Sequence, residues 1–303
     1  MLKKGTLWSK IIQRTEKALQ RGALYPIFTE SRFVQDGGIH FLVRIVSNLD
    51  RKMEGKKQHE RGNTVERESA NPFLPYDKDM FVEDISDTHV CLLNKFNVID
   101  HHILIVTRLF EDQESLLTYQ DFEAIWRCMP EFNGLAFYNG GTVAGSSQPH
   151  KHLQMIPLPM ADKGPQIPIE PLIASAQSDG DFCFIPNFPF MHSLIKLSPD
   201  MLKAPKEAAE ETLKFYRAML YTMGLNNPTD PHGSRQSGPY NLILTRQWML
   251  LVPRSEEFFK SISLNALAYT GALLVRNEQE MQTLMDQGCM NVLKSTAVTN
   301  TMP

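Results

Sequence analysis

Hydrophobic positions recur along this chain at two periods, and the two periods separate helices from strands. Leu7 to Gln20 carries apolar residues at Leu7, Ile11, Ile12 and Leu19 and is followed by Gly22, which predicts a short amphipathic helix closed by glycine. Thr118 to Met129 places Phe122, Ile125, Trp126 and Met129 at helical spacing, with Thr118 as N-cap and Asp121 three residues on. Pro205 to Met223 predicts another helix, with proline near its start and Gly224 just past its end. A last helical region begins after Ser263.

Short apolar runs predict the strands. They are Phe41 to Val46, Val90 to Phe96, Ile103 to Thr107, Leu135 to Tyr138, Lys151 to Pro157, Phe182 to Ile185, Ser193 to Leu197, Tyr240 to Thr245 and Trp248 to Val252. Val90 to Phe96 and Ile103 to Thr107 pair across a polar turn at Asp100, His101 and His102. Adjacent strands outnumber strand–helix–strand alternations, so the fold class is α+β with mainly antiparallel sheet flanked by helices. The charged stretch Asp50 to Asp79 has little periodicity and reads as a long mobile loop, a plain surface loop or a binding loop. The proline-rich run Pro157 to Pro171 reads as a connector, dividing the chain into regions 1–165 and 166–303.

Composition narrows the class only slightly. With 303 residues, a compact chain buries roughly three-quarters of its unfolded surface and needs no disulfide or metal to hold a core. A formal net charge of −3 argues against a protein that grips long nucleic acid, but leaves room for a polyphosphate ligand. Cys91, Cys128, Cys183 and Cys289 form no C-x-x-C pair and read as small core residues. No signal peptide and no stretch of 18 apolar residues is evident, so neither export nor a membrane span is expected, and a reducing cytoplasm fits.

The chemistry concentrates in Asn139-Gly-Gly-Thr-Val-Ala-Gly-Ser-Ser-Gln-Pro-His-Lys-His-Leu-Gln154. On a strand, side chains alternate, so His150, His152 and Gln154 share one face and Lys151, Leu153 and Met155 the other. Three polar groups aligned on an apolar strand point to a cleft or a ligand, because burial without partners is costly. Gly145, Ser146, Ser147 and Gln148 just before them suit an anion cradle of hydroxyls and backbone amides. A neutral imidazole beside such a cradle is a nucleophile for phosphorus, provided one ring nitrogen is bare and the other donates a hydrogen bond. A His-x-His pair can instead hold zinc or iron, but Gln154 is a poor third ligand, so no metal site is expected. His40, His59, His89, His101, His102, His192 and His232 lack partner spacing and read as structural or exposed.

These residues resemble the signature of the histidine-triad superfamily, in its His-x-His-x-Gln branch. Within that branch the chain is similar to the diadenosine tetraphosphate phosphorylases, also called ATP adenylyltransferases. The resemblance covers most of the chain and includes Leu93-Asn94-Lys95-Phe96, Phe137-Tyr138-Asn139-Gly140-Gly141, Tyr240-Asn241-Leu242 and Trp248-Met249-Leu250-Leu251-Val252-Pro253-Arg254. It implies a histidine-triad-like fold, with a catalytic region over 1–165 and a C-terminal region over 166–303 packed on it. It implies His152 as nucleophile, His150 as its support and Gln154 on the phosphate under attack. It further implies nucleotide contacts at Lys52, Asn94, Lys95, Asn139, the Gly145 to Gln148 loop, Asn241 and Met249.

The implied reaction is reversible: diadenosine tetraphosphate and inorganic phosphate give ATP and ADP. No tightly bound cofactor is implied, and Mg²⁺ can accompany the substrate's phosphates. Neither a nucleic acid nor a membrane is an expected partner, and the oligomeric state is left open. Superfamily hydrolases carry a third histidine where this chain has Gln154, and an amide cannot act as a general acid. Hexose-1-phosphate uridylyltransferases share the motif, but typically with proline where this chain has Lys151, and many carry a C-x-x-C zinc site. A nucleotide sensor without catalysis is the alternative from another class.

Overall fold

The structure, a computed structural model, describes residues 2–46, 71–180, 182–225 and 233–299. Lys52 and most of the Asp50 to Asp79 stretch lie outside the described residues, as do His59 and His232.

Helix α1 (Leu7–Gln20) is followed by strands β1 (Thr29–Asp36), β2 (Ile39–Val46), β3 (Phe81–Asp84), β4 (His89–Leu93) and β5 (Ile103–Thr107). Then come α2 (Tyr119–Cys128), β6 (Gly134–Gly140), β7 (His152–Pro157), α3 (Glu170–Ala174), β8 (Gln177–Asp179), β9 (Phe182–Phe184) and β10 (Ser193–Lys196). The remainder is α4 (Pro205–Thr222), β11 (Tyr240–Leu244), β12 (Trp248–Pro253), β13 (Phe258–Phe259), β14 (Ile262–Ser263), β15 (Ala272–Val275), α5 (Glu278–Gln287) and α6 (Cys289–Thr296).

Ten strands form one sheet in the order β3-β4-β5-β7-β6-β11-β12-β10-β9-β8, and every neighbouring pair is antiparallel. A second sheet, β1-β2-β15, contains a parallel pair, β2 with β15. The α+β class with mainly antiparallel sheet therefore holds. Strands from before and after residue 165 share both sheets, through β6 with β11 and β2 with β15.

The large sheet buries both faces, so its central strands are apolar almost throughout. On one face Ala136, Tyr138, Leu153, Met155, Leu242, Leu244, Met249 and Leu251 pack with buried residues of α1, α2 and α4. On the other, Leu135, Phe137, Ile243, Leu250 and Val252 pack with β2, β15 and the C-terminal helices. The functional side chains of β6 and β7 project toward this second face. A smaller cluster of Phe73, Val90, Leu92, Leu104 and Val106 lies at its β4–β5 end.

Helix starts follow their sequence signals. Thr118 and Asp121 form a capping box at the start of α2, each bonding the other's backbone. Helix α1 buries Leu7, Ile11, Thr15 and Ala18, while Leu19 is exposed, so the apolar stripe runs one position away from the expected one. Six strands escape prediction, β1, β3, β8, β13, β14 and β15, of which β8, β13 and β14 are only two or three residues long. β1 is polar and mostly exposed, β3 is four residues long, and β15 lies inside the region expected to be helical.

Candidate active site

Strand β7 begins at His152, one residue later than expected, and alternation from there sets the site. Lys151 turns to the helix side and is fully buried; its Nζ donates to Glu111 Oε2 at 2.7 Å, Leu116 O at 3.1 Å and Asp121 Oδ2 at 3.1 Å. His150 and His152 turn to the other face. On the face expected to meet a cleft or a ligand, both are buried, at 0% and 4% exposure, with the Phe73 ring centred 5.6 Å and 5.4 Å from them.

The imidazole hydrogen bonds fix both tautomers. His152 Nδ1 lies 2.8 Å from its neighbour's carbonyl, His150 O. A carbonyl only accepts, so Nδ1 carries the proton and Nε2 is left with its lone pair. Burial pushes the His152 ring down to about 4, against the pull of that carbonyl, so the ring is neutral near pH 7. His150 Nε2 donates to Thr107 O at 2.9 Å, and its Nδ1 accepts from Asn71 Nδ2 at 2.9 Å. Burial lowers the His150 pKa as well.

A cavity of about 530 Å³, the size of a small-ligand pocket, lies on the same face at Gln154, with neither His150 nor His152 in its lining. Gln154, Asn139, Asn94, Gly145 and Ser147 line it. So does His102, which the sequence reading set aside as structural or exposed. His102 is buried, its Nδ1 accepts from Asn94 Nδ2 at 3.1 Å, and its Nε2 has no hydrogen bond. Burial lowers its pKa to about 4; the adjacent Gln154 side chain pulls the other way. The remaining described histidines stay outside the site. His89 is buried against Asp121, His192 ties Ile185 N to Phe190 O, His101 contacts Thr15, and His40 is exposed.

The cradle loop is tighter than its sequence suggests. Gly145 has φ +88, and a Cβ there would sit 2.8 Å from Leu264 O, so only glycine fits. The Gly145 and Ser146 N–H groups are spent inside the loop, on Thr142 O and Gly141 O, and Ser146 Oγ donates to Gln148 O. Among the described residues, the Ser147 and Gln148 N–H groups have no partner. Of the backbone amides from Gly145 to Gln148, these two are therefore the ones open to an anion.

Other expected contacts separate into cavity residues and supports. Asn241 stands behind the cavity, its Nδ2 donating to Asn139 Oδ1 at 2.9 Å and to Ala144 O at 2.8 Å. Buried Arg254 in turn donates to Asn241 Oδ1 at 2.6 Å. Asn241 thus holds Asn139 and the loop, and nothing here puts it on a nucleotide. Lys95 points to Asp77, 3.9 Å away, and over the Tyr25 ring, away from the cavity lining. Met249, also expected on the nucleotide, is fully buried in the helix-side core, and its side chain does not line this cavity.

Among the described residues no group of three or more His, Cys, Asp or Glu is placed to hold a metal ion, and no helix is long and apolar enough to cross a membrane. All four cysteines are free and buried, as core residues.

The chain is 26% identical to diadenosine 5',5'''-P1,P4-tetraphosphate phosphorylase 2 of Saccharomyces cerevisiae, over 92% of this chain and 90% of that one. It is also 26% identical to Protein APA1 of the same yeast, over 92% of this chain and 89% of that one. The fold matches the crystal structure of yeast Ap4A phosphorylase Apa2, with a TM-score of 0.78 and 23% identity, covering 100% of this chain and 98% of that one. Residues 186–299 match the ATP adenylyltransferase C-terminal domain, and residues 1–175 match the Ap4A phosphorylase N-terminal domain. With models of both halves matched in order, the chain belongs to the Ap4A phosphorylase family.

Proposed function

We propose that the chain catalyses the reversible phosphorolysis of diadenosine tetraphosphate to ATP and ADP, through an AMP group carried on His152. The observation that carries this is the Nδ1 donation from His152 to His150 O, which leaves Nε2 bare on a neutral ring. Nε2 attacks one α-phosphorus, the bond from that phosphorus to the bridging oxygen breaks, and ATP leaves with the electron pair. Inorganic phosphate then attacks the same phosphorus, the P–N bond breaks, and ADP forms as the pair returns to Nε2. One yeast relative is named for this reaction, and a structure of Apa2 is described as a complex with Ap4A.

The surrounding residues suit these steps. The open Ser147 and Gln148 amides suit phosphate oxygens, and the cavity lined by Phe137 and Phe96 suits a nucleoside. Mg²⁺ would act on the polyphosphate itself, screening its charge. Four buried free thiols suit a reducing compartment such as the cytoplasm.

The test is incubation with diadenosine tetraphosphate, with and without phosphate, followed by chromatography. ATP and ADP in equal amounts, only with phosphate, are expected. ATP and AMP at the same rate regardless of phosphate would make the chain a hydrolase instead.

Gln154 is the residue expected to set that choice. It lines the cavity next to His102 and supplies no acidic proton to the transfer. Gln154→His is expected to raise the AMP to ADP ratio at fixed phosphate. An unchanged ratio in an active variant would place acceptor choice at the Ser147–Gln148 amides.

A further inference from the structure

Gln113 belongs to no motif, yet its side chain touches the backbone of two site residues. It lies in the segment between β5 and α2 and is 2% exposed. Its Oε1 accepts from His152 N at 2.9 Å, and its Nε2 donates to Asn139 O at 2.9 Å and to His152 O at 3.3 Å. Gln113 is itself held by its own backbone: its N–H donates to Pro149 O at 2.7 Å, and its carbonyl accepts from the Tyr138 hydroxyl.

These bonds fall where the β6–β7 ladder stops. The paired residues run from Gly134↔Pro157 to Phe137↔Gln154. Continued in register, the next pair on this face would set Asn139 opposite His152. Strand β6 does continue there, pairing Asn139 with Asn241 on its far side, and β7 pairs His152 with Val106 on its far side. Between them the His152 N–H and C=O go to the Gln113 amide. In a regular antiparallel ladder these groups would bond Asn139 directly and draw the two strands to about 5.5 Å between Cα atoms. The amide supplies one acceptor and two donors, so it meets three of the four backbone groups of that rung, the His152 N–H and C=O and the Asn139 C=O.

We propose that Gln113 is a positioning residue for the adenylyl transfer, a side-chain wedge that spreads β6 from β7 and sets the His152 ring and Asn139 at their working separation. This rests on the assignment of His152 as nucleophile. A neutral amide is the side chain that satisfies all three contacts at once. Methionine matches its length but leaves the His152 N–H and O unpaired and Asn139 O with only the Gly141 N–H. A carboxylate would set a negative oxygen against two carbonyl oxygens. A protonated carboxyl, by contrast, offers an acceptor and one O–H donor, the nearest mimic of the amide.

The expected consequence is a loss in the chemical step with little loss in substrate binding, because Gln113 does not line the cavity. Misplacing a reacting group by about 1 Å costs on the order of 10²-fold in rate. Gln113→Met and Gln113→Glu are therefore expected to lower the single-turnover adenylylation rate by about 10²-fold, with KM for diadenosine tetraphosphate changed less than about threefold. The ratio of Gln113→Glu to wild-type rate is expected to rise as pH falls and the new carboxyl is protonated, while the same ratio for Gln113→Met stays flat.

An activity-independent readout accompanies these rates: ¹⁵N NMR of the His152 ring in the full-length protein. Wild type is expected to show the Nδ1-protonated tautomer, and Gln113→Met a mixture. Wild-type rate constants with both variants, or an unchanged tautomer with loss confined to KM, would overturn the proposal. Should Gln113→Met fail to fold, the Gln113→Glu pH ratio decides alone: a flat ratio contradicts the wedge. If wild type itself lacks phosphorolysis, it is the functional reading that fails, and the tautomer comparison still tests the wedge.

Discussion

Lys151 and His152 are consecutive, both buried, and face opposite sides of the same sheet. On the helix side, the Lys151 ammonium meets Glu111 and Asp121, and Asp121 also bonds His89 Nε2 at 3.0 Å. The His89 bond and the Lys151 charge overcome the cost of burial and hold the Asp121 carboxyl down at about 2. On the cavity side, the groups acting on the His152 ring are a backbone carbonyl and another imidazole, with no carboxylate among them. Burial then favours the uncharged ring. One side keeps its charges by pairing them and serves the fold. The other keeps the His152 ring neutral by withholding a countercharge, and a neutral ring is the reactive form.

The comparison breaks most visibly at His152. His152→Ala is expected to lower phosphorolysis by at least about 10⁴-fold, because a nucleophile lost from a concerted site is not replaced by its neighbours. The far-ultraviolet circular dichroism should be unchanged. An active His152→Ala enzyme would make the cavity side as structural as the helix side.

Lys151→Met should do the reverse. It leaves Asp121 buried beside His89 without its ammonium, and removing one partner of a buried ion pair costs about 3–5 kcal/mol. Urea titration is expected to show that loss. The activity of the molecules that remain folded should fall far less than in His152→Ala. Adding Asp121→Asn should return part of the lost stability, since the uncompensated charge goes with it. A single variant as stable as wild type would mean that the buried network contributes nothing net.

Acid separates the two sides more gently. His152 and His102 have folded-state values near 4, below the ordinary 6.5. Their protons are taken up more readily by the unfolded chain, so the stability they contribute is complete above about pH 6.5 and lost as pH falls toward about 4. Asp121, lowered from 3.8 to about 2, contributes stability that is lost only below about pH 4. Melting temperatures across these two windows should flatten in the upper one for His152→Gln and in the lower one for Asp121→Asn. Identical slopes in wild type and both variants would contradict the assignment of the groups.

How far the sequence reveals this site depends on how locally each signal is encoded. The face shared by His150, His152 and Gln154 needs only the strand period, and the capping box of α2 needs only Thr118 and Asp121. His102 went unrecognised because it sits about fifty residues from the motif and is brought to Gln154 by pairing of β5 with β7. Its one sequence signal is phase: it lies two residues before Leu104, on the cavity-facing side of β5.

Met249 is expected on the nucleotide by the family resemblance alone, and its side chain lies in the helix-side core. β12 is buried at every position, so no alternation tells which of its residues faces the cavity. Gln113 could not be found at all, because a side chain that replaces a ladder rung has no spacing signature. β1 is polar and exposed at most positions, and its pairing with β2 is visible only in three dimensions.

The central claim is that His152 carries AMP during turnover, and the direct measurement is capture of that intermediate. Full-length protein is mixed with diadenosine tetraphosphate in the absence of phosphate, quenched under alkaline conditions that preserve phosphoramidates, digested and analysed by tandem mass spectrometry. The expected result is one AMP on the peptide containing Pro149 to Met155, localised to His152, released as ADP when phosphate is added before the quench. An enzyme that turns over the substrate with no such adduct, or with AMP on His150 or His102, would contradict the account.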